Sequence, residues 1–297
     1  MDDVIARACL SAIFEPDSIQ LQKYRADYQL FEIVQDLQRK GTLSREDLRN
    51  ITKQVEQSLN QFSWLTPGAP LWPEQVTRLG LSAPLGLWAK GNLSLLHNPF
   101  VAMVGSRECS SYGRTVAEKF AKRISAATIT VASGGAIGID TACHKGAIRE
   151  AGSTIAVLAG GFNHLYPKSN IPLFKHIEEQ GLLISEVSPW QVARPHWFLS
   201  RNRIIAALSE TLVVIESRVK SGAMSSVSHA NALGIEVCAV PGAVTSPYSS
   251  GPHALIRDGA RLVDTAQDVL CVVWNALKLQ YSEAQSAREQ FLQSHSQ

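Results

Sequence analysis

Between Phe100 and Pro241, apolar runs end again and again in small or polar residues that suit an anion. They read Val104-Gly105-Ser106-Arg107, Ser133-Gly134-Gly135, Ala159-Gly160-Gly161, Ser185-Glu186, Glu216-Ser217 and Pro241-Gly242. Glycine lets backbone approach a ligand closely. Serine adds a hydroxyl, and arginine can grip a phosphate with two parallel hydrogen bonds. Where such a turn opens a helix, unpaired N–H groups and the dipole favour negative charge. Gly105, Ser106 and Arg107 combine all of these, so a phosphate site is preferred over a tight turn with a surface arginine.

The turn Ser133-Gly134-Gly135-Ala136-Ile137-Gly138 nearly matches the dinucleotide pattern G-x-G-x-x-G, with serine in first place. The acidic residue expected to hold a ribose should end the next strand, where Ala159, Gly160 and Gly161 stand instead. A dehydrogenase is therefore disfavoured. The absence of a Walker A sequence disfavours a P-loop NTPase. After Gly160 and Gly161, a mobile loop carries Tyr166, Pro167, Lys168 and Asn170, a mix suited to stacking a base and holding a phosphate. The competing reading packs Tyr166 and Pro167 on the sheet.

Arg201, Asn202 and Arg203 fall in a first helical turn, where cations oppose the helix dipole and need a compensating anion or carboxylate. From Trp190 to Lys220 there are five basic residues against two acids, interleaved with Trp190, Trp197 and Phe198, a pattern used for single-strand binding. The alternative places Trp197 and Phe198 in the core and pairs an arginine with Glu186 or Glu216. At least one of the two arginines is expected to be internal in this way. Ser221 and Gly222 open a further helix and can hold another phosphate, or serve only as a cap. Sets able to do catalysis are poor. Cys143 and His144 are adjacent and so face different ways on a helix. His176-Ile177-Glu178 lacks the Pro-Cys-x-x-Cys partner of zinc deaminases, and no G-x-S-x-G elbow occurs. No catalytic residue, metal site or cofactor is assigned.

The elements that must position these residues alternate. Strand-like runs at 100–104, 128–132, 154–159, 182–185, 212–215, 236–240 and 261–263 are separated by helix-like segments near 111–126, 138–150, 170–180, 200–209 and 222–233. Unbroken β-rich runs alternating with helices predict an α/β fold, doubly wound around a mostly parallel sheet. The carboxyl ends of such strands line one edge, where ligands bind. Residues 1–62 show helical stripes: Ile5, Cys9 and Ile13; Leu30, Ile33, Val34 and Leu37; and, after a cap at Ser44, Leu48, Ile51, Val55 and Leu59. They predict a small N-terminal helical domain. The proline-rich stretch 63–73 reads as a linker, residues 74–264 as the main domain, and 265–297 as a helix running into a polar tail.

The chain has 297 residues, a net charge of +2 and 45% hydrophobic residues. These values fit a globular protein whose nucleic-acid surface, where one exists, is a local patch. The five scattered cysteines, with no C-x-x-C, argue for buried free thiols rather than disulfides or structural zinc. No signal peptide or membrane-length apolar run is recognised, so a cytoplasmic protein with no membrane partner is expected.

Taken in order, the Gly105-Ser106-Arg107 turn, Tyr112-Gly113, Ser133-Gly134 with Gly138-Ile139-Asp140, Tyr166-Pro167, Ser185-Glu186, Arg201-Asn202-Arg203-Ile204-Ile205-Ala206, Ser221-Gly222 and Val240-Pro241-Gly242 resemble the DNA-processing protein A family (DprA, also called Smf) over residues 72–264. The resemblance implies an extended Rossmann-like domain that binds single-stranded DNA as a homodimer. It also implies protection of incoming DNA in natural transformation and loading of a RecA-type recombinase, without enzymatic activity. Arg107 and Lys168 match DNA-contacting positions of the family. Arg201, Asn202 and Arg203 match its Arg-Asn-Arg, taken as part structural and part phosphate-binding.

The chain departs from the family pattern at Gly135, where leucine is usual, at Ile137, where a basic residue is usual, and at His253, where asparagine is usual. With Gly41 the sole glycine before the linker, no helix-hairpin-helix is expected at the N-terminus, and the 34 residues after Val263 are too few for a winged helix. A phosphoribohydrolase-like nucleotide enzyme or sensor, using a carboxylate such as Glu216 at a ribose, is the alternative. Its Pro-Gly-Gly-x-Gly-Thr is absent, since Ala243 and Val244 follow Pro241-Gly242.

Overall fold

The computed structural model describes residues 2–149 and 153–278. The N-terminal segment forms α1 (Asp3–Ile13), α2 (Ile19–Asp27), α3 (Leu30–Arg39) and α4 (Arg45–Leu59). Of these, α2 has no counterpart in the predicted stripes. It buries only Tyr24, so its sequence carries no amphipathic signal. Ser44 caps α4 by accepting from Asp47 N, and the Asp47 carboxylate reaches back to Ser44 N, as a capping box should.

Ser63–Leu65, read from the sequence as part of the linker, is a strand, β1. It pairs antiparallel with β2 (Leu87–Gly91). The prolines that punctuate this stretch begin only after Leu65, which is itself buried. The sheet continues with β3 (Phe100–Val104), α5 (Ser111–Ala126), β4 (Thr130–Ser133), α6 (Ile139–Ile148), β5 (Thr154–Val157), α7 (Ile171–Gln180) and β6 (Leu182–Ser185). After a long connection come α8 (Trp197–Ser200), α9 (Asn202–Leu208), β7 (Thr211–Val214), α10 (Gly222–Ala232), β8 (Glu236–Ala239), α11 (Ser250–Arg257) and β9 (Arg261–Leu262). Residues 266–278 are helical, and the polar tail expected beyond them lies outside the described residues. Strand β4 starts two residues later than the apolar run because Thr128, at φ 59°, is still in the left-handed turn that closes α5.

The strand order is β1-β2-β6-β5-β4-β3-β7-β8-β9. All neighbours from β6 through β9 are parallel, whereas β2 pairs antiparallel with both β6 and the edge strand β1, so β2 alone runs against the rest. Helices cover both faces. Residues of α5, α6 and the 266–278 helix bury against Val101, Met103 and Val131, while α9, α10 and α11 bury against Ala102, Val104 and Val214. The N-terminal helices dock beside α7, where Ala8, Cys9 and Val55 join Trp88, Phe174 and Ile177 in one apolar cluster. Cys9, Cys143 and Cys238 are buried, as expected of structural thiols, whereas Cys109 is half-buried and Cys271 exposed.

The chain winds outward from β3 in both directions, toward β4 on one side and β7 on the other. Helix α5 leaves β3 over one face and α10 leaves β7 over the opposite face, so a crevice opens between the two strand ends.

Candidate nucleic-acid interface

The turn after β3 is pinned from both sides. Ser106 N donates to Glu216 O at the end of β7 (2.7 Å), and Ile139 N at the start of α6 donates to Ser106 O (3.1 Å). The second bond requires Gly138. Its φ is 86°, and a Cβ there would lie 2.3 Å from Ser106 O and 2.4 Å from Arg107 O. Held in this way, Gly105 and Ser106 line an open cleft of about 430 Å³ together with Asn202, Ser221 and Gly222, and Arg107 projects into it.

An aromatic shelf borders the arginine. The Arg107 guanidinium stands 5.6 Å from the centroid of the Phe198 ring, and Tyr166 meets the same ring edge-on at 5.5 Å. Tyr166 is 56% exposed, so its face is open to a base. Successive residues on a helix point about 100° apart. On α8, Trp197 turns into the protein at 3% exposure, which leaves Phe198 facing the cleft. The sequence alternative that placed both aromatics in the core therefore holds for Trp197 alone. Lys168 is exposed on the loop beside Tyr166. The amide of Asn170, read from the sequence as a ligand group, points inward instead and donates to Gly135 O (3.0 Å) and Thr141 Oγ1 (2.8 Å).

The three residues of the Arg-Asn-Arg run have different positions. Arg201 lies under the cleft floor and donates to Gly134 O (2.6 Å) and to Val157 O. Burial draws its pKa down to about 10, opposed by the Asp140 carboxylate and reinforced by Arg107, so it is still a cation at neutral pH. Burial likewise raises the pKa of Asp140, which Arg201 counteracts. Asn202 accepts from Arg201 Nε (3.2 Å) and donates to Gly222 O (3.2 Å), tying α9 to the start of α10. Arg203 is the internally paired arginine. Only 2% exposed, it makes two 2.6 Å hydrogen bonds to the Glu186 carboxylate and donates to Ser82 O and Ser200 O, both at 3.0 Å.

Several glycine-turn residues serve the scaffold rather than the cleft. Ser133 is buried with its hydroxyl on Met103 O (2.7 Å). Gly134 packs against the Arg201 guanidinium, and a Cβ on Gly135 would lie 2.6 Å from the Phe174 ring, where a leucine would not fit without displacing it. Gly160 and Gly161 are buried against Ala193, Ser188 and Pro189 and admit the 188–193 segment rather than a ligand. That segment and the following one are held by the N-terminal helices. Gln191 Nε2 donates to Ala12 O (2.9 Å), and Glu15 meets Arg194 and His196 Nε2, the latter at 3.0 Å. The helical segment thus braces the connection that carries Phe198.

Ile137, at the position usually basic in the family resemblance, is 45% exposed and faces the shelf beside Arg107 and Tyr166. His253, where asparagine is usual in the family resemblance, is bonded through Nε2 to Gly242 O (3.1 Å). Arg218, not singled out from the sequence as a site residue, lines the cleft mouth and stands 3.9 Å from Glu108. Glu216, the carboxylate of the nucleotide-enzyme alternative, is 2% exposed and accepts from Ser110 N (2.9 Å) and Ser110 Oγ (2.5 Å). It is committed to the start of α5. His144 is packed, with Nδ1 on Thr154 Oγ1 (2.8 Å) and a pKa lowered by burial to about 3.

A doubly wound, mostly parallel sheet with basic residues, helix N-termini and aromatics at its switch point defines a protein of the Rossmann-like class. The sequence model of the family described as DNA recombination-mediator protein A matches residues 63–273, and the chain belongs to that family. The DNA processing protein DprA of Bacillus subtilis is 36% identical over 215 residues, 72% of this chain and 71% of its own. A Mycobacterium tuberculosis relative is 43% identical over 190 residues, 63% of this chain, which spans about half (49%) of that protein's length. Among solved structures, DNA processing protein A of Streptococcus pneumoniae superposes with a TM-score of 0.76 at 31% identity, covering 91% of this chain and 98% of the other. That of Helicobacter pylori, solved for its single-stranded-DNA binding mode, gives 0.65 at 26% identity and covers 73% and 96%. Among the described residues, no helix is long and apolar enough to cross a membrane.

Proposed function

We propose that this chain is a non-catalytic, cytoplasmic single-stranded-DNA-binding protein. It holds the strand along the carboxyl edge of its sheet and serves DNA recombination, with a RecA-type recombinase as partner and a homodimer as working form. One observation carries the reading: Arg107, Phe198 and Tyr166 line one surface, with the Arg107 cation over the Phe198 ring and Tyr166 edge-on to it, at the mouth of a cleft flanked by helix N-termini. Phosphates are met by Arg107, Lys168 and Arg218, with the buried charge of Arg201 beneath. Bases stack on Phe198 and Tyr166, a sequence-tolerant contact because every base has a π-face. The single-stranded-DNA binding named for the Helicobacter pylori protein supports the ligand class. A nucleotide enzyme acting through Glu216 is disfavoured by that residue's two hydrogen bonds to Ser110.

Fluorescence anisotropy of a labelled single-stranded oligonucleotide across a salt series tests the proposal. Binding should weaken with salt by about 0.7 log units per tenfold salt for each phosphate contacted. It should collapse in Arg107→Ala/Lys168→Ala, and duplex and mononucleotide should compete poorly. A protein that ignores the oligonucleotide and binds a mononucleotide tightly would refute it.

A further inference from the structure

Arg201 is only 6% exposed, yet its hydrogen bonding is incomplete. A guanidinium carries five N–H groups. Nε donates to Asn202 Oδ1 (3.2 Å), and Nη1 donates to Gly134 O (2.6 Å) and to Val157 O. The two N–H groups of Nη2 have no acceptor among the described residues. Asp140 offsets the charge, but its Oδ2 accepts from Ala136 N (3.2 Å) rather than from Nη2. A buried donor without an acceptor is costly, so Nη2 calls for one from outside the chain.

Nη2 lies at the foot of a narrow slot. Gly134 rests against it, and a Cβ there would collide with this nitrogen, so glycine leaves it uncovered. Gly134 and Arg201 line the slot together, and its walls are the side chains of Ile137, Tyr166, Pro167 and Phe198. The backbone carbonyls nearby are already engaged. Gly134 O accepts from Arg201, and Ala136 O accepts from Thr141 Oγ1 (2.7 Å) and Asn170 Nδ2 (3.3 Å). The slot therefore combines apolar walls with free donors. Phosphate is a poor occupant, because four apolar side chains would strip its water and replace none of it. A nucleobase suits it, with its faces against the walls and an edge turned to Nη2.

We propose that this slot selects guanine at one position of the bound strand, with Nη2 of Arg201 donating to O6 and N7. The inference rests on the cleft binding single-stranded DNA. Guanine presents two adjacent acceptors on that edge, whereas adenine sets an N6 donor beside N7, and that donor would meet another donor. Cytosine brings an amino donor as well, and thymine offers O4 alone. Stacking elsewhere along the cleft tolerates every base, so the preference belongs to one position and leaves the phosphate contacts unchanged.

The test is anisotropy on a short oligodeoxyadenylate and on the same strand with one central base replaced by guanine, hypoxanthine, 7-deazaguanine or 2-aminopurine. Guanine and hypoxanthine, which keep O6 and N7, should bind about tenfold more tightly than the all-adenine strand, within the range of a good two-acceptor contact. The 7-deazaguanine strand lacks N7 and the 2-aminopurine strand lacks O6, so both should bind like adenine. All five strands should share one salt slope. Arg107→Ala should weaken every strand by the same factor and keep the guanine preference, whereas Arg201→Lys, which lacks Nη2, should bind guanine and adenine strands alike. The base series on wild type decides the matter even if Arg201→Lys does not fold. Equal affinity for all five strands, or a preference that follows the N2 amino group instead of O6 and N7, refutes the slot while the cleft stands. A preference that disappears in Arg107→Ala overturns the assignment to Arg201. If wild type binds none of the strands, the cleft reading falls and takes the slot with it.

Discussion

Arg203 and Arg107 are both basic residues beside candidate phosphate turns, yet their surroundings predict opposite phenotypes. Arg203 is 2% exposed and holds Glu186 through two 2.6 Å bonds. Replacing it with methionine leaves a buried carboxylate without its counter-ion and removes the donors to Ser82 O and Ser200 O. Breaking a buried pair on one side costs about 3–5 kcal/mol. At roughly 2–3 °C per kcal/mol for a chain of this size, the melting temperature should drop by about 6–15 °C. Below that transition, affinity for single-stranded DNA and its salt slope should be those of wild type. Arg203→Met/Glu186→Leu should regain most of the loss, since an apolar pair of similar volume is often as stable as the ion pair. Arg107→Ala should do the reverse, with an unchanged melting temperature and a slope shallower by about 0.7. Differential scanning fluorimetry with anisotropy salt series on the same preparations reads both quantities. The reasoning is refuted if Arg203→Met melts like wild type and loses a phosphate's worth of salt dependence.

Three further outcomes follow from the site. Phe198→Ala should cost about 1–3 kcal/mol of single-strand affinity through lost stacking while leaving the salt slope intact, measured by the same anisotropy series. Ile137→Lys places a cation beside Arg107 and should tighten binding about fivefold at 0.1 M salt and steepen the slope by about 0.7; unchanged binding would show that the strand does not pass Ile137. His144, whose pKa is lowered from 6.5 to about 3, is held neutral in the folded protein, so the stability it permits is fully present above pH 6.5 and is lost progressively as pH falls toward 3. Between pH 6.5 and 5 that is about 2 kcal/mol, visible as a pH-dependent shift in urea midpoint that His144→Gln should largely abolish.

The alternation of β-rich runs and helices from Phe100 onward made the doubly wound sheet legible, because a strand buried on both faces must be apolar throughout and its crossover needs a helix. The Gly105-Ser106-Arg107 turn and the resemblance to the DNA-processing family were legible for a related reason. Close backbone approach leaves few residue choices, and Gly138 shows why, at φ 86° against two carbonyls. The short strand β1 and helix α2 were not legible. Three residues carry no periodicity, and α2 buries a single side chain.

Which polar residues reach the cleft was decided only in three dimensions. In sequence, Arg201 and Arg203 are equivalent members of one basic run. Two residues along a helix differ by about 200° in direction, which sends Arg203 to Glu186, fifteen residues upstream of Arg201, and leaves Arg201 beneath the cleft. Ser133, Gly160 and Gly161 resemble a ligand cradle in the chain but are filled by Met103, Ser188, Pro189 and Ala193 from elsewhere in the fold. Phe198 becomes a shelf because its neighbour Trp197 takes the core position. Composition and spacing fixed which backbone turns could hold an anion. Long-range packing, which no local pattern encodes, settled which of them open to solvent.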